Sequence, residues 1–495
     1  MAPPTKPVSF LWHDYETFGI DTQRDRPVQF AAIRTDAELN EISEPVELFC
    51  RPSDDFLPHP QACLVTGITP QRALHRGIPE AEFANRICEE MSQPGTCSVG
   101  YNSLRFDDEV SRHLFYRNLI DPYAREWQNG NSRWDLIDVV RAFHALRPEG
   151  IEWPRREDGS PSFRLEELTQ ANGIAHEGAH DAVADVRATI ALARRLKTAN
   201  PRLFSHLLNQ RGKRQIAELL DITAQVPVLH VSRRYPASRN CAALVMPLAK
   251  HPTNSNGVIV YDLSVDPQPM LELSAEQIQQ RVFISNDELA EGESRIPLKV
   301  IHINKCPIVM PVAFLKDVDG ERAGDYGRIV EQMALDLEAG RKHWKALRAA
   351  PEITERVKDV FSKPYPEPPR DPDLMLYSGN FFSPSDRAQM ERVRASAPWD
   401  LVGATFSFQD PRLEEMLFRF RARSYPETLE GDEKERWENW RWERLRDSQV
   451  AGFTLSDFGR EIEQLGHQEL TDSQRQVLEE LVMYVESILP SQAFD

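Results

Sequence analysis

Asp14 and Glu16 lie in the run Phe10-Leu-Trp-His-Asp-Tyr-Glu-Thr-Phe18. Residues i and i+2 of a strand point to one face. Two carboxylates are therefore aimed together from the end of an apolar element. Their repulsion calls for a proton or a cation, and such oxygen ligands suit a hard ion, Mg²⁺ or Mn²⁺. A D-x-E pair also arises by chance, and a solvated strand end would explain it equally well. Asp107 closes the segment Gly100-Tyr-Asn-Ser-Leu-Arg-Phe-Asp107, where a strand gives way to a helix. A carboxylate there also serves as a cap or first-turn acid, and Asp108 or Glu109 could do the same. His180 and Asp185 lie in Gly178-Ala-His-Asp-Ala-Val-Ala-Asp-Val-Arg187, which opens a long helix. Asp185 is held one turn inside it, whereas His180 sits at or before the first turn, where it can move. Asp181 reads as a cap and stays open as an alternative ligand.

The elements that must position these groups alternate. Val8 to Tyr15, Phe30 to Thr35, Pro45 to Cys50 and Thr96 to Tyr101 read as strands. Asp107 to Asn118, Trp134 to Leu146, Phe163 to Ala171 and Asp181 to Leu196 read as helices. This order predicts an α/β domain with a mixed sheet. From Val226 to about Pro311 the pattern changes to short β-branched runs, Val228–Val231, Ala242–Val245, Gly257–Tyr261 and Leu298–Ile303, which predict a small β-rich barrel or sandwich. Lys363 to Pro372 holds five prolines in ten residues and reads as a linker. Beyond it the chain reads as helical. Thr471 to Leu489 is the clearest case, with a capping box at Thr471 and Gln474 and an apolar stripe that predicts core packing.

Composition narrows the class. The 495 residues are 41% apolar and 27% charged, ordinary for a folded protein of two to four domains. No run is apolar for long enough to cross a membrane, and Val8 to Trp12 is too short for a signal-peptide core. The six cysteines are scattered without a CxxC pair, so a disulfide framework or zinc site is not expected and a reducing cytoplasm is. The net charge of −18 argues against nucleic acid as a partner when taken alone. The average hides a segment, Pro201 to Val260, in which eight Lys and Arg face only two acids. A solvated face would explain that run as well.

Taken in order, D-x-E on an early strand, an Asp after Asn-x-x-x-Phe and H-x₄-D opening a helix resemble the DEDDh exonuclease superfamily. No Tyr lies within ten residues before Asp185, which separates this branch from the one with Tyr in place of His. Longer stretches sharpen the match. His13-Asp-Tyr-Glu-Thr-Phe-Gly19, Asp25-Arg-Pro-Val-Gln-Phe-Ala-Ala-Ile-Arg-Thr-Asp36, Leu64-Val-Thr-Gly-Ile-Thr-Pro70, Asn131-Ser-Arg-Trp-Asp-Leu-Ile-Asp138, Leu146-Arg-Pro-Glu-Gly150, Ser162-Phe-Arg-Leu-Glu166 and His302-Ile-Asn-Lys-Cys-Pro307 resemble bacterial exonuclease I. The likeness runs to about residue 425; the last 70 residues match only in helical character.

The resemblance implies an RNase H-like mixed-sheet exonuclease domain (1–200), an SH3-like β domain (201–358) and an all-helical C-terminal domain (359–495). It implies processive hydrolysis of single-stranded DNA from the 3′ end to 5′-mononucleotides, in repair and recombination. Two Mg²⁺ ions, for which Mn²⁺ can substitute, would be held by Asp14, Glu16, Asp107 and Asp185, with His180 as general base. Arg164 resembles a substrate-contacting Arg of the family. Arg112, Tyr123, Trp127, Arg141 and Arg147 are further candidates for the cationic, stacking track that a single strand needs. The implied partners are single-stranded DNA and the acidic tail of single-stranded DNA-binding protein, with the enzyme a monomer. Two rivals remain at this point: an RNA-trimming or proofreading DEDDh enzyme, and an inert DNA-binding protein on the same fold.

Overall fold

The computed structural model describes residues 7–176, 181–285, 288–289, 293–316, 327–362 and 371–490. The chain forms two compact units, one made of 7–132, 176–190 and 367–495, the other of 133–175 and 191–366.

The first unit is built on β1 (Ser9–Thr17), β2 (Pro27–Thr35), β3 (Val46–Phe49) and β4 (Thr96–Gly100). β2 is antiparallel to β1 and β3 to β2, whereas β4 runs parallel to β1, so the sheet is mixed. All nine residues of β2 are buried, as suits a strand covered on both faces. β1 reads Phe-Leu-Trp-His-Asp-Tyr-Glu, and its period of two sorts the side chains. Leu11 and Tyr15 join Phe30, Phe83, Ile87, Leu114 and Phe115 in a core shared with the helices Glu80–Ser92 and Asp107–Arg117. Asp14 and Glu16 therefore face the other way. β1 runs two residues further than its sequence suggests, so Glu16 lies inside the strand; a register shift between Glu16 and Thr17 ends the ladder.

The C-terminal helices belong to this same unit. Asp472–Ile488 starts with the expected capping box at Thr471 and Gln474. Its Leu478, Leu481, Val485 and Ile488 pack with Phe18, Val28, Phe49 and Cys63 from the N-terminal region. The apolar stripe is core, as its spacing predicts. A buried set of ion pairs binds the same regions. Arg26 meets Asp55 at 3.2 Å, Arg117 meets Glu80 at 2.9 Å, and Arg419 and Arg423 meet Asp371 and Asp373 at 2.5 and 2.8 Å. The proline-rich segment 363–370 lies outside the described residues.

The chain enters the second unit within β5 (Ser132–Asp135). Here the structure corrects the sequence: Trp134 and Asp135 are strand, and the helix spans Leu136–Leu146. The physical reason is Asp135, whose carboxylate caps the helix by accepting from the Ile137 amide at 3.1 Å. The second sheet has the order β10-β6-β7-β8-β9 and is wholly antiparallel. β6 (Val228–Val231), β8 (Gly257–Asp262) and β9 (Leu298–His302) fall where the β-branched runs place them. β7 (Ala242–Lys250) continues past Val245 through a register shift after Pro247, and β10 is Ile308–Pro311. Val228, Val245, Val260, Ile301 and Val309 close its core.

Candidate active site

β1 supplies Asp14 and Glu16, and the helix Ala182–Ala199 supplies Asp185 in its first turn. One carboxylate oxygen from each of the three lies within 4.8 Å of the others. Asp107 opens its helix after a tight exit from β4. Gly100 has no room for a side chain, because a Cβ there would sit 2.7 Å from Ser103 Cβ and 3.0 Å from the His13 carbonyl. Asn102 then turns the chain with φ of 64°. The result is an Asp107 carboxylate that accepts from the Tyr15 amide at 3.0 Å, between Asp14 and Glu16 on β1. Its neighbour Asp108 takes a different role, buried against Arg125 at 2.5 Å. Asp181 accepts from the Ala184 amide at 3.2 Å, as a cap does.

Crowding sets the electrostatics. Burial, then the charges of Asp107, Glu16 and Asp185, hold the Asp14 carboxyl well above the ordinary carboxylate range. Burial, then Asp185, Asp107 and Asp181, push Glu16 up to about 9. Oxygen donors this close repel one another unless a positive charge joins them. The donor set is all carboxylate, which fits a hard divalent cation. His13 contributes no charge here: burial pulls it down to about 4. His180 lies outside the described residues. His176 does not: its Nε2 is 2.5 Å from Asp185 Oδ1.

Three family models match the chain in succession: an exonuclease model over residues 11–193, the exonuclease I SH3-like domain over 211–363 and the exonuclease I C-terminal domain over 370–488. Exodeoxyribonuclease I of Escherichia coli K12 is 46% identical over 97% of this chain and 98% of its own. The chain belongs to the exonuclease I family. It is a DNA exonuclease with a mixed-sheet exonuclease domain, an SH3-like domain and a helical C-terminal domain. Among solved structures, a moderately thermophilic exonuclease I from Methylocaldum szegediense covers 97% of this chain and all of its own, at 49% identity and a TM-score of 0.91. E. coli exonuclease I in complex with a dA16 oligonucleotide covers the same shares at 43% identity and a TM-score of 0.91. Other solved structures include a zinc-bound complex of the E. coli enzyme with single-stranded DNA and a complex described as SSB/exonuclease I with an inhibitor. The family match runs through residue 488, well beyond the point near 425 where the sequence likeness fades to helical character.

The remaining family candidates divide by environment. Trp127 is 62% exposed, and Tyr123 is half-buried. Both line a cavity of about 300 Å³ with Tyr116, Phe381, Phe382 and Arg387. Arg164, in the second unit, is 66% exposed and only 3.7–3.8 Å from Glu167 and Glu166. Arg147 donates to the carbonyls of Leu146 and Lys316 at 2.6 and 3.3 Å. Arg112 and Arg141 lie beside carboxylates of their own surroundings. Arg112 is buried against Glu126 at 2.7 Å and Glu109 at 3.0 Å, and Arg141 is buried against Asp138 at 2.6 Å. Sequence reasoning passed over His176. Its signal was available only as a second histidine four residues before His180.

Proposed function

We propose that this enzyme hydrolyses single-stranded DNA processively from the 3′ end, releasing 5′-mononucleotides, with two divalent ions at the Asp14 cluster. The observation that carries this reading is the convergence of Asp14, Glu16 and Asp185, with Asp107 beside them, on a point that only positive charge makes comfortable. The oligonucleotide complexes of the E. coli enzyme support single-stranded DNA as substrate.

Bound Mg²⁺, or Mn²⁺ in its place, would supply a hydroxide at neutral pH and neutralise charge on the leaving oxygen. Asp14, Glu16, Asp107 and Asp185 would hold the ions. His180 would take the proton of the attacking water. Its ordinary pKa, about 6.5, suits a base near neutrality. Trp127 and Tyr123 offer ring faces for unstacked bases, and Arg164 and Arg147 offer cations for the backbone. Arg202, Lys213, Arg233, Arg234 and Lys250 are exposed, and in this reading the basic segment would continue the cationic track. The SSB-containing structure supports docking on the acidic tail of single-stranded DNA-binding protein. Action as a cytoplasmic monomer in recombination and mismatch repair completes the proposal.

The test uses 5′-labelled single-stranded DNA with Mg²⁺, run beside duplex DNA, RNA and a His180→Ala variant. Stepwise shortening of single-stranded DNA alone, lost in the variant, is the expected result. Shortening of RNA would move the assignment to an exoribonuclease, and tight binding without cleavage to an inert binding protein. With chemistry limiting, the rate is expected to rise between about pH 6 and 8 as His180 loses its proton. A flat profile there would remove His180 from the base role.

A further inference from the structure

His176 is a candidate that the catalytic motif does not include. It stands nine residues before Asp185, and its side chain is only 6% exposed. Nε2 lies 2.5 Å from Asp185 Oδ1. Asp185 is fixed in its backbone, since its amide donates to the Asp181 carbonyl at 3.0 Å. Its carboxylate is not fixed by the helix, because a side chain one turn in can still rotate about two bonds. An imidazole N–H on one carboxylate oxygen settles that rotation and sets the plane of both oxygens.

The position gives the contact a purpose. Asp185 is the one member of the three-carboxylate group that does not come from β1. Asp14 and Glu16 are registered by the ladder to β2, opposite Ala31 and Gln29. Asp107 is registered by the Tyr15 amide. Asp185 faces this group from a helix whose preceding residues 177–180 lie outside the described ones. A hydrogen bond from a partner residue is the usual way in which a ligating carboxylate is aimed.

We infer that His176 is a positioning residue for Asp185: its Nε2–H donates to Oδ1 and holds the carboxylate in the orientation that a divalent ion requires. The two histidines of the H-x₃-H pair then divide the work, with His180 moving a proton and His176 aiming a ligand. This inference rests on the metal-dependent reading above.

The experiment measures Mn²⁺ binding to the full-length protein without DNA, by calorimetry or electron paramagnetic resonance, for wild type, His176→Ala, His176→Gln and His180→Ala. Single-stranded DNA binding in chelator and thermal melts confirm that each variant is folded. His176→Ala is expected to weaken Mn²⁺ about 10- to 100-fold, as loss of a ligand's supporting partner does. The Mg²⁺ concentration for half-maximal activity should rise in parallel, and most of kcat should return at saturating metal. His176→Gln keeps an N–H donor and should recover much of the affinity. His180→Ala should lose kcat with Mn²⁺ affinity intact. Wild-type Mn²⁺ affinity in both His176 variants would overturn the inference. So would a loss of kcat that saturating metal does not restore, which would place His176 in the chemistry itself. Absence of Mn²⁺ binding by the wild type would instead overturn the metal-dependent reading.

Discussion

Glu16 shows what the site costs the fold at the scale of one residue. Its carboxyl is pushed up to about 9 by burial and by Asp185, Asp107 and Asp181, against an ordinary value near 4.5. A group whose folded pKa is raised contributes most below its unfolded pKa and loses that contribution as pH climbs through the folded value. Metal-free enzyme should therefore lose stability between about pH 4.5 and 9. Glu16→Gln removes the charge at nearly constant shape. It is expected to abolish activity and to raise the melting temperature of metal-free protein by a few degrees near pH 7, on the order of 1–2 kcal/mol. The gap should widen from pH 5 to 9 in a melt series and shrink when Mg²⁺ is added to the wild type. A melting temperature equal to wild type across that range would mean that the carboxylates do not strain one another. The same residues show what a sequence can reveal. Asp14 and Glu16 were legible because a strand's period of two forces them onto one face. His176 was not, because nothing in its local spacing says that its ring ends on Asp185.

At the scale of elements, the site depends on two junctions. One is the strand-to-helix turn after β4, where Gly100 lets the chain pass within van der Waals contact of His13 and Ser103. Gly100→Ala puts a Cβ against a backbone carbonyl, which cannot swing away as a side-chain tip can. It should cost about 1–3 kcal/mol. It should also weaken Mn²⁺ binding, because the Asp107 helix starts seven residues on and would shift relative to Tyr15. Denaturant unfolding and metal titration check the two effects, and wild-type values in both would show that the junction tolerates a side chain. The other junction is β5 into the helix Leu136–Leu146. There the helical expectation ran two residues too early, since Trp134 suits strand and helix alike and the Asp135 cap decides the boundary. Elements with strong periodicity were legible almost to the residue, as the helix Asp472–Ile488 and its capping box show. What that helix packs against was not, because Phe49 and Cys63 lie more than 400 positions away.

At the scale of the whole molecule, sequence distance is overcome by buried charge as much as by apolar contact. Arg419 and Arg423, from the helix Arg412–Ser424, meet Asp371 and Asp373, while Arg423 also approaches Asp55 at 3.8 Å. Asp55 is itself held by Arg26, so charges from both ends of the chain share one dry cluster. After the burial that opposes ionisation, Arg423 and Arg419 hold the Asp373 carboxyl far below its ordinary range. Arg117 and Arg26 likewise hold Glu80 down at about 2. Depressed carboxyl groups contribute stability above their unfolded pKa, near 4, and that contribution is lost as pH falls toward the folded value. Acid should thus loosen this unit between about pH 4.5 and 2, opposite in direction to the Glu16 effect. Asp373→Ala leaves two buried guanidinium groups short of a partner and is expected to cost about 3–5 kcal/mol, with acid sensitivity reduced because the titrating group is gone. Replacing Asp373 and Arg423 together by apolar residues of similar volume should recover much of that loss, since an empty charge is costlier than none. Equilibrium unfolding of the three proteins at pH 7 and pH 4 decides the matter. If the single variant is as stable as the wild type, the cluster contributes nothing to holding the C-terminal helices on the N-terminal part of the unit, and the apolar contacts of Leu478, Leu481 and Val485 with Phe18, Val28, Phe49 and Cys63 carry that attachment alone.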